Sequence, residues 1–263
     1  MQSSNGEAGG RAPADVLVEG ERPLTARSVL ASTLLGADPP ELPVAHLVHM
    51  AGLFGINENR ARVALSRMVT SGEATTDGSG RYRLAGRLLE RQARQATSRA
   101  GWTGLWSGRW HVAVLDPAAS AAEVRSERRR ILVQSRLGEL RQGVWTRPDN
   151  LPVVLDDVGV VARFTAEPEG DPVALAASLW NLDGWATRAT ALLTALDRLP
   201  VRDAAQLARG FVLSAAVLRH LQSDPLLPEE LLPRTWPGSR LRDRYDAWDA
   251  RYRAVLAAWG RAR

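Results

Sequence analysis

The residues best suited to chemistry are arginines concentrated in one stretch, FGINENRARVALSRMVTSGEATTDGSGRYRL, which spans residues 54–84. Between Asn57 and Arg94 there are eight arginines and four acidic residues, a net charge of +4 in a chain whose total is +5. Guanidinium groups bind phosphates and guanine edges, so such a local excess is typical of a nucleic-acid-binding face. All 34 basic residues are arginine, which fits a genomic compositional bias. The distribution of arginine, rather than its abundance, therefore carries the prediction.

A helix starting after Asn57 would place the candidate contact residues on one face. Asn57 can accept a hydrogen bond from the first turn, and Glu58 suits the positive end of the helix dipole. A rotation of about 100° per residue gathers an apolar side consisting of Ala61, Ala64, Leu65, Met68 and Val69. The opposite side carries the residues that we predict to contact DNA, namely Asn59, Arg60, Arg62, Val63, Ser66 and Arg67. In the major groove, arginine suits guanine, asparagine suits adenine, and valine methyls suit thymine.

A hairpin is predicted immediately after this helix. The segment EATTDGSGRYRL alternates around DGSG, a turn that tolerates positive φ, and this favours two antiparallel strands. Arg81 and Arg83 on the second strand would reach the DNA backbone or the minor groove. The alternative is an ordinary solvated helix and a surface loop. The concentration of charge on both elements favours DNA contact.

Two shorter helices are predicted before the arginine-rich helix. LTARSVLASTLLGA (24–37) has apolar residues at the spacing of a helix with one buried face, and LPVAHLVHMAG (42–52) restarts with Pro43 at the first helical position. Three helices and a hairpin predict a winged helix-turn-helix DNA-binding domain over residues 24–95. Residues 1–22 are polar and aperiodic, and we expect them to form a disordered tail.

The remainder of the chain predicts an α+β fold. The order strand, helix, strand and strand within residues 102–168 favours a small domain over an antiparallel sheet. Residues 171–263 are mostly helical in pattern and form the predicted C-terminal helical domain. They are interrupted by the proline-rich segment SDPLLPEELLPRTWPG, which cannot be a regular helix throughout.

Composition excludes several classes of protein. There is no cysteine, which rules out disulfides and thiolate metal sites. No apolar run approaches the roughly 20 residues of a membrane span, so no membrane partner is expected. The N-terminus lacks the basic start and apolar stretch of a signal peptide. These features predict a cytoplasmic protein without a cofactor.

Four segments in order resemble the phenylacetic acid catabolism repressors of the PaaX family. LTARSVLASTLLG resembles the family's first helix, and FGINENRARVALSRM resembles its recognition-helix region. WSGRWHVAVLDP with RQGVWTRPDNL resembles its central domain, and DPLLPEELLPRTWPG resembles its C-terminal signature. The resemblance runs from about residue 24 to residue 248, nearly the whole predicted folded chain.

This resemblance implies a winged helix-turn-helix domain, a central ferredoxin-like domain similar to the CRISPR-associated Cas2 fold, and a C-terminal helical domain. It implies a homodimer that binds double-stranded operator DNA, represses catabolic genes and is released by an aryl-CoA thioester effector. Candidate phosphate-binding arginines for the CoA moiety are Arg109, Arg141 and Arg147, but the sequence does not single out an effector site. A ligand-sensing regulator of an unrelated pathway is an alternative.

A second alternative is a Cas2-like metal-dependent nuclease. Asp116 ends the predicted first strand of the central domain, where two copies meeting at a dimer axis would offer oxygen ligands to Mg²⁺. The competing interpretation is a strand-ending aspartate before Pro117. His46 and His49 are three residues apart, but no third metal ligand is apparent. We therefore predict that the protein is not an enzyme.

Overall fold

A computed structural model describes residues 24–37, 39–101, 103–116, 122–155 and 158–261. The tail that the sequence predicts to be disordered, residues 1–22, lies outside the described residues. The described chain is a mixed α+β fold with two antiparallel sheets, which confirms the predicted fold class at that level. None of its helices is both long enough and apolar enough to cross a membrane.

The described residues of the N-terminal third form four helices and a small sheet. Its elements are α1 (Ala26–Leu35), β1 (Glu41–Pro43), α2 (Val44–Gly52), α3 (Glu58–Thr70), β2 (Ala74–Thr76), β3 (Arg81–Leu84) and α4 (Gly86–Ala100). Thr25 begins α1 through a capping box, in which its hydroxyl accepts from the Ser28 amide and the Ser28 hydroxyl accepts from the Thr25 amide. The first three helices thus occur where their apolar spacing predicts them.

The small sheet has three strands in the order β1–β3–β2, whereas the sequence predicted a two-stranded hairpin. The additional strand β1 pairs antiparallel with β3, with Leu42 opposite Tyr82. Pro43 consequently forms the N-cap of α2 instead of its first helical residue. A proline is tolerated there because β1 is an edge strand and ends at this residue.

The middle of the chain forms the second sheet. Its elements are β4 (Trp110–Leu115), α5 (Ala122–Gln134), β5 (Gly138–Arg141), β6 (Val144–Pro148) and β7 (Val160–Ala166), with the strand order β5–β6–β4–β7. Strands β5 and β6 form a hairpin with a turn at Gly143, which has φ 78°. Between β6 and β7, the described residues 149–155 and 158–159 form neither helix nor strand.

The C-terminal part is helical. It contains α6 (Pro172–Leu179), α7 (Leu182–Arg198), α8 (Leu207–Gln222) and α9 (Gly238–Arg261), with short 3₁₀ turns at Ala204–Gln206 and Glu229–Leu231. The helical pattern over residues 171–199 is divided into two helices, because Trp180 adopts an extended conformation with ψ 137°. The proline-rich segment is irregular apart from its 3₁₀ turn, as its prolines predict.

The contacts divide the chain into two compact units. The first comprises residues up to Ala96 with Thr190–Arg219 and Leu241–Arg263, and the second comprises Thr97–Ala189 with His220–Arg240. The first unit's core includes the fully buried side chains Leu30, Leu47, Leu65, Leu192 and Val217. The second unit has one apolar cluster on its sheet around Trp145 and another around Trp110. The three-domain division over 24–95, 102–168 and 171–263 stays a prediction.

His220 is buried in the second unit beside Trp185. Its ring stacks on Trp185 at 4.3 Å between centroids, and its Nε2 lies 3.1 Å from the Trp185 carbonyl oxygen. The Trp185 indole N–H donates in turn to the His220 carbonyl at 3.3 Å. Burial lowers the pKa of His220 to about 4, which keeps the ring neutral at pH 7.

We expect this histidine to make the folded state sensitive to acid. An unfolded histidine has a pKa of about 6.5, so the unfolded chain binds the extra proton first as the pH falls. The contribution of the neutral His220 ring to the free energy of unfolding is therefore fully present above about pH 6.5. It falls by up to about 3 kcal/mol as the pH approaches 4. Urea unfolding at pH 7 and pH 4.5 measures this loss. A His220→Gln variant with the same pH dependence as the parent would contradict it.

Candidate nucleic-acid interface

Helix α3 is fixed in place by its cap and by one apolar face. The Asn57 Oδ1 atom accepts from the Arg60 amide at 2.9 Å, and Glu58 occupies the first turn. Ala61, Leu65 and Met68 are almost completely buried, with exposed fractions of 0–1%. The helix is thus anchored from one side, and its orientation does not depend on the residues of the opposite side.

The opposite side of α3 carries all six residues that the sequence analysis assigned to DNA. Asn59, Arg60, Arg62, Val63, Ser66 and Arg67 are all exposed. Val63 is 44% exposed, and its position among polar side chains provides methyl groups for a thymine contact. The 13 residues of α3 give a helix about 20 Å long. An α-helix with its side chains is about 10–12 Å across, which fits the major groove of about 12 Å.

Two of the three arginines on this face have no counter-ion within the described ranges. Arg62 pairs with Glu58 at 2.7 Å, one turn earlier on the helix. An exposed pair of this kind contributes about 0.3–0.5 kcal/mol, so a phosphate can replace it at little cost. In the described part of the chain, neither the Arg60 nor the Arg67 guanidinium has a hydrogen bond or ion pair. The face is therefore electropositive before any ligand binds.

Arg81 and Arg83 project from β3 and share one carboxylate. The Arg81 Nε atom lies 2.5 Å from Glu41 Oε1, and the Arg83 Nε atom lies 2.8 Å from Glu41 Oε2. Both hydrogen bonds lower the pKa of Glu41, the one from Arg81 more than the one from Arg83. Each guanidinium has five N–H donors, so donors remain for a phosphate. Sequence reasoning missed Glu41, because its proximity depends on the pairing of β1 with β3.

The tip of the hairpin is ordered by Asp77. Its Oδ1 atom accepts from the amides of Ser79 at 2.9 Å and Arg81 at 3.2 Å. Gly78 and Gly80 have φ of 80° and 90°, as the predicted positive-φ turn requires. The hydrogen bonds to Ser79 and to nearby amides lower the pKa of Asp77. The turn therefore holds Arg81 in a defined place at neutral pH.

A surface groove runs along α3 beside the first turn of α1. It is lined by Thr25, Arg27, Asn59, Arg60, Val63 and Arg67, among others. Arg27, which sequence reasoning did not select, pairs with Glu73 through an Nε–Oε2 hydrogen bond of 2.8 Å. No local pattern distinguishes this arginine, since its place beside α3 follows from helix packing.

The comparison with known families decides the classification. The profile described as PaaX-like protein matches residues 25–88, and the profile described as PaaX-like protein C-terminal domain matches residues 180–260. The chain belongs to the PaaX-like family. This family consists of DNA-binding transcription regulators, so the PaaX-like protein described here is a regulator of that class.

A solved structure is similar to this PaaX-like protein along most of its length. It is the uncharacterized protein Rv0674 from Mycobacterium tuberculosis, with a TM-score of 0.70 and 40% sequence identity. The similarity covers 89% of this chain and 98% of that one. A comparison with curated protein sequences gave no significant match.

The remaining candidate residues of the PaaX-like protein lie elsewhere. Asp116 is exposed just after β4. Within the described residues, no three His, Cys, Asp or Glu side chains are grouped so that they could hold a metal ion. His49 stacks on Trp259 with 3.7 Å between ring centroids. Arg147 is 1% exposed and donates to protein carbonyl groups, so its guanidinium is not placed to bind a CoA phosphate.

Proposed function

We propose that this PaaX-like protein is a homodimeric repressor of catabolic genes that reads its operator with α3. The observation that carries the proposal is the exposed face of α3, where Arg60 and Arg67 lack counter-ions among the described residues. The opposite face is buried, so the helix can enter a major groove as a rigid unit. Asn59, Val63 and Ser66 supply the contacts that distinguish base pairs.

The elements around α3 support a winged helix-turn-helix. Helices α1 and α2 both pack against α3, and the hairpin β2–β3 follows it directly. In such a domain the recognition helix reads bases, and the wing contacts the backbone or the minor groove. Arg81 and Arg83 occupy the wing. In this assignment Arg60, Arg62 and Arg67 lie on the recognition helix, and the two wing arginines lie beside the backbone or the minor groove.

The second sheet supports a ferredoxin-like central domain over residues 102–168. Its elements follow the β–α–β–β–α–β order of that fold, except that the described residues between β6 and β7 form no second helix. The Cas2-like dimer and the helical C-terminal domain over 171–263 would set the separation of the two recognition helices. Half-site spacing in the operator then follows from the dimer axis.

An aryl-CoA or related acyl-CoA thioester is the proposed effector. Release of DNA requires only that the effector binds more tightly to the state that cannot span both half-sites. A tenfold difference in effector affinity between the two states corresponds to about 1.4 kcal/mol. The family's regulatory role supports this part of the proposal.

The proposal is tested by titrating the purified protein onto the promoter DNA beside its own gene. Binding is measured at two salt concentrations, with and without phenylacetyl-CoA, and compared with a scrambled duplex. We expect specific binding that weakens with salt and is released by the thioester. Specific binding that the thioester does not change would support the DNA-binding role and rule out this effector. Equal affinity for the scrambled duplex would overturn the proposal.

Replacing Arg81 with alanine is expected to weaken binding to operator and scrambled DNA equally. A wing arginine that contacts phosphate carries no sequence information, and its loss should reduce the slope of log K against log salt by about 1. Glu41→Gln provides the opposite change, because it removes the negative charge between Arg81 and Arg83. That variant should bind both duplexes more tightly. An unchanged salt slope in Arg81→Ala would contradict the wing assignment.

A further inference from the structure

The first compact unit contains a cavity of about 190 Å³. Its wall is formed by residues of α1, α2 and α4 together with residues of α8 and α9. The apolar part of the wall includes Leu35, Leu42, Met50, Phe211, Leu218 and Leu256. A dry cavity of about 150 Å³ is large enough to bind benzene, so the volume here suits a single ring or a short acyl chain.

Arg91 gives this cavity a positive charge. Arg91 and Gln95 lie one turn apart on α4 and both line the cavity. Across the described ranges, the Arg91 guanidinium has no hydrogen-bond or ion-pair partner. Burial makes the largest contribution to lowering the pKa of Arg91. The positive charges of Arg219, Arg94 and Arg27 lower it further. The surroundings of this cation therefore do not compensate its charge, and an anion would.

Among the described residues, Asp249 is the carboxylate that lines the cavity, and it is already paired. Asp249 is 3% exposed and accepts from the Arg253 Nε atom at 2.8 Å. Arg253 also donates to the Gly36 carbonyl oxygen at 2.5 Å, which ties α9 to the end of α1. This ion pair leaves the charge of Arg91 without a counterpart in the cavity.

Tyr252 adds a second group that a ligand would satisfy. The residue is 6% exposed, and no described residue hydrogen-bonds its buried hydroxyl. A buried hydroxyl without a hydrogen-bond partner is destabilising, and a ligand oxygen that reaches it would remove that cost. Burial raises the pKa of Tyr252, so the hydroxyl stays protonated and can donate.

We propose that this cavity is a binding site for an anionic ligand with a small apolar body. The apolar ring or acyl chain lies against the leucine, methionine and phenylalanine side chains of the wall. The anionic group pairs with Arg91 and Gln95, and an oxygen of the ligand accepts from Tyr252. A free aryl or alkyl carboxylic acid carries both parts on one small molecule, whereas in its CoA thioester the carboxylate is consumed and the phosphates lie beyond the pantetheine arm.

The position of the cavity connects the ligand to α3. Ser32 and Thr33 of α1 and His46 and Met50 of α2 line it, and α1 and α2 are the helices against which α3 packs. A ligand that contacts these helices and α9 together favours one arrangement of them over another. This regulatory consequence rests on the proposed function, whereas ligand binding itself does not.

The test is calorimetric titration of the full-length protein without DNA, using phenylacetate, phenylacetyl-CoA and the neutral analogue phenylacetamide. We expect phenylacetate to bind, and both phenylacetyl-CoA and phenylacetamide to bind at least about tenfold more weakly. Arg91→Met should reduce anion affinity by a similar factor and leave phenylacetamide unchanged. Arg94→Met is the matched control, since it removes the same charge from the same helix outside the cavity wall.

A second variant tests the apolar part of the site. Ala215→Leu adds volume within the wall and should weaken all three compounds, with circular dichroism confirming that the variant is folded. Anion binding that is indifferent to both Arg91→Met and Ala215→Leu would overturn the site, as would the absence of binding at millimolar concentration. Because the titration contains no DNA, a failure here is separate from a failure to bind the operator.

Discussion

Replacing Arg67 with alanine is expected to weaken operator binding by about 1–3 kcal/mol, or about 5- to 150-fold. The Arg67 guanidinium is exposed on α3 and has no partner in the described part of the chain. Because no internal ion pair must be broken, its full hydrogen-bonding capacity is available to a guanine or a phosphate. Fluorescence anisotropy with a labelled operator and a scrambled duplex measures both affinities.

The same variant should lose more affinity for the operator than for the scrambled duplex, because a base contact is present only at the specific site. Arg251→Ala provides the matched control. Arg251 is exposed on α9, and its neighbours Tyr252 and Arg253 line the cavity rather than the groove along α3. If Arg67→Ala bound the operator as tightly as Arg251→Ala, the assignment of α3 to the major groove would be wrong.

The face of α3 and the turn of the hairpin could be predicted from sequence because both depend on local spacing. Ala61, Leu65 and Met68 recur with the period of a helix, and their burial leaves the arginines on the opposite side. Gly78 and Gly80 permit positive φ, whatever the rest of the chain does. Each of these predictions needed no information from outside the segment concerned.

Strand β1 could not be predicted, because its three residues are too few to show alternation. It exists through its pairing with β3, which lies about 40 residues later in the chain and brings Glu41 opposite Arg83. The cavity is a more extreme case, since its wall combines Ser32 with Leu256. Contacts over such distances depend on the packing of whole helices, which composition and periodicity do not encode locally.

Arg147 connects two segments of the second unit, RQGVWTRPDNL and the proline-rich segment. Its Nη2 atom donates to Asn150 Oδ1 at 3.0 Å and to the Leu226 carbonyl oxygen at 3.3 Å. The Asn150 amide also donates to the Leu226 carbonyl oxygen, at 2.9 Å. Leu226 has a φ of 49°, a left-handed conformation that costs about 1–2 kcal/mol for a side chain of this kind. These hydrogen bonds hold the proline-rich segment in that conformation.

Replacing Arg147 with alanine is therefore expected to destabilise the fold by about 2–4 kcal/mol. The change removes three hydrogen bonds, including one to the Pro148 carbonyl oxygen at 3.1 Å, and leaves a void in a fully buried position. Urea unfolding at pH 7 gives the difference in free energy directly. A loss below about 0.5 kcal/mol, the range of ordinary surface substitutions, would show that the segment is held by its leucines alone.

Arg147→Met separates the two contributions, because it restores most of the volume without the hydrogen bonds. Burial lowers the pKa of Arg147 to about 9, so the side chain is still a cation at pH 7 and bears a desolvation cost. Methionine removes that cost, and replacing a buried charge by an apolar residue of similar volume is often close to neutral. We expect Arg147→Met to recover at least half of the stability lost in Arg147→Ala. If both variants were equally destabilised, the hydrogen bonds to Leu226 rather than packing would dominate.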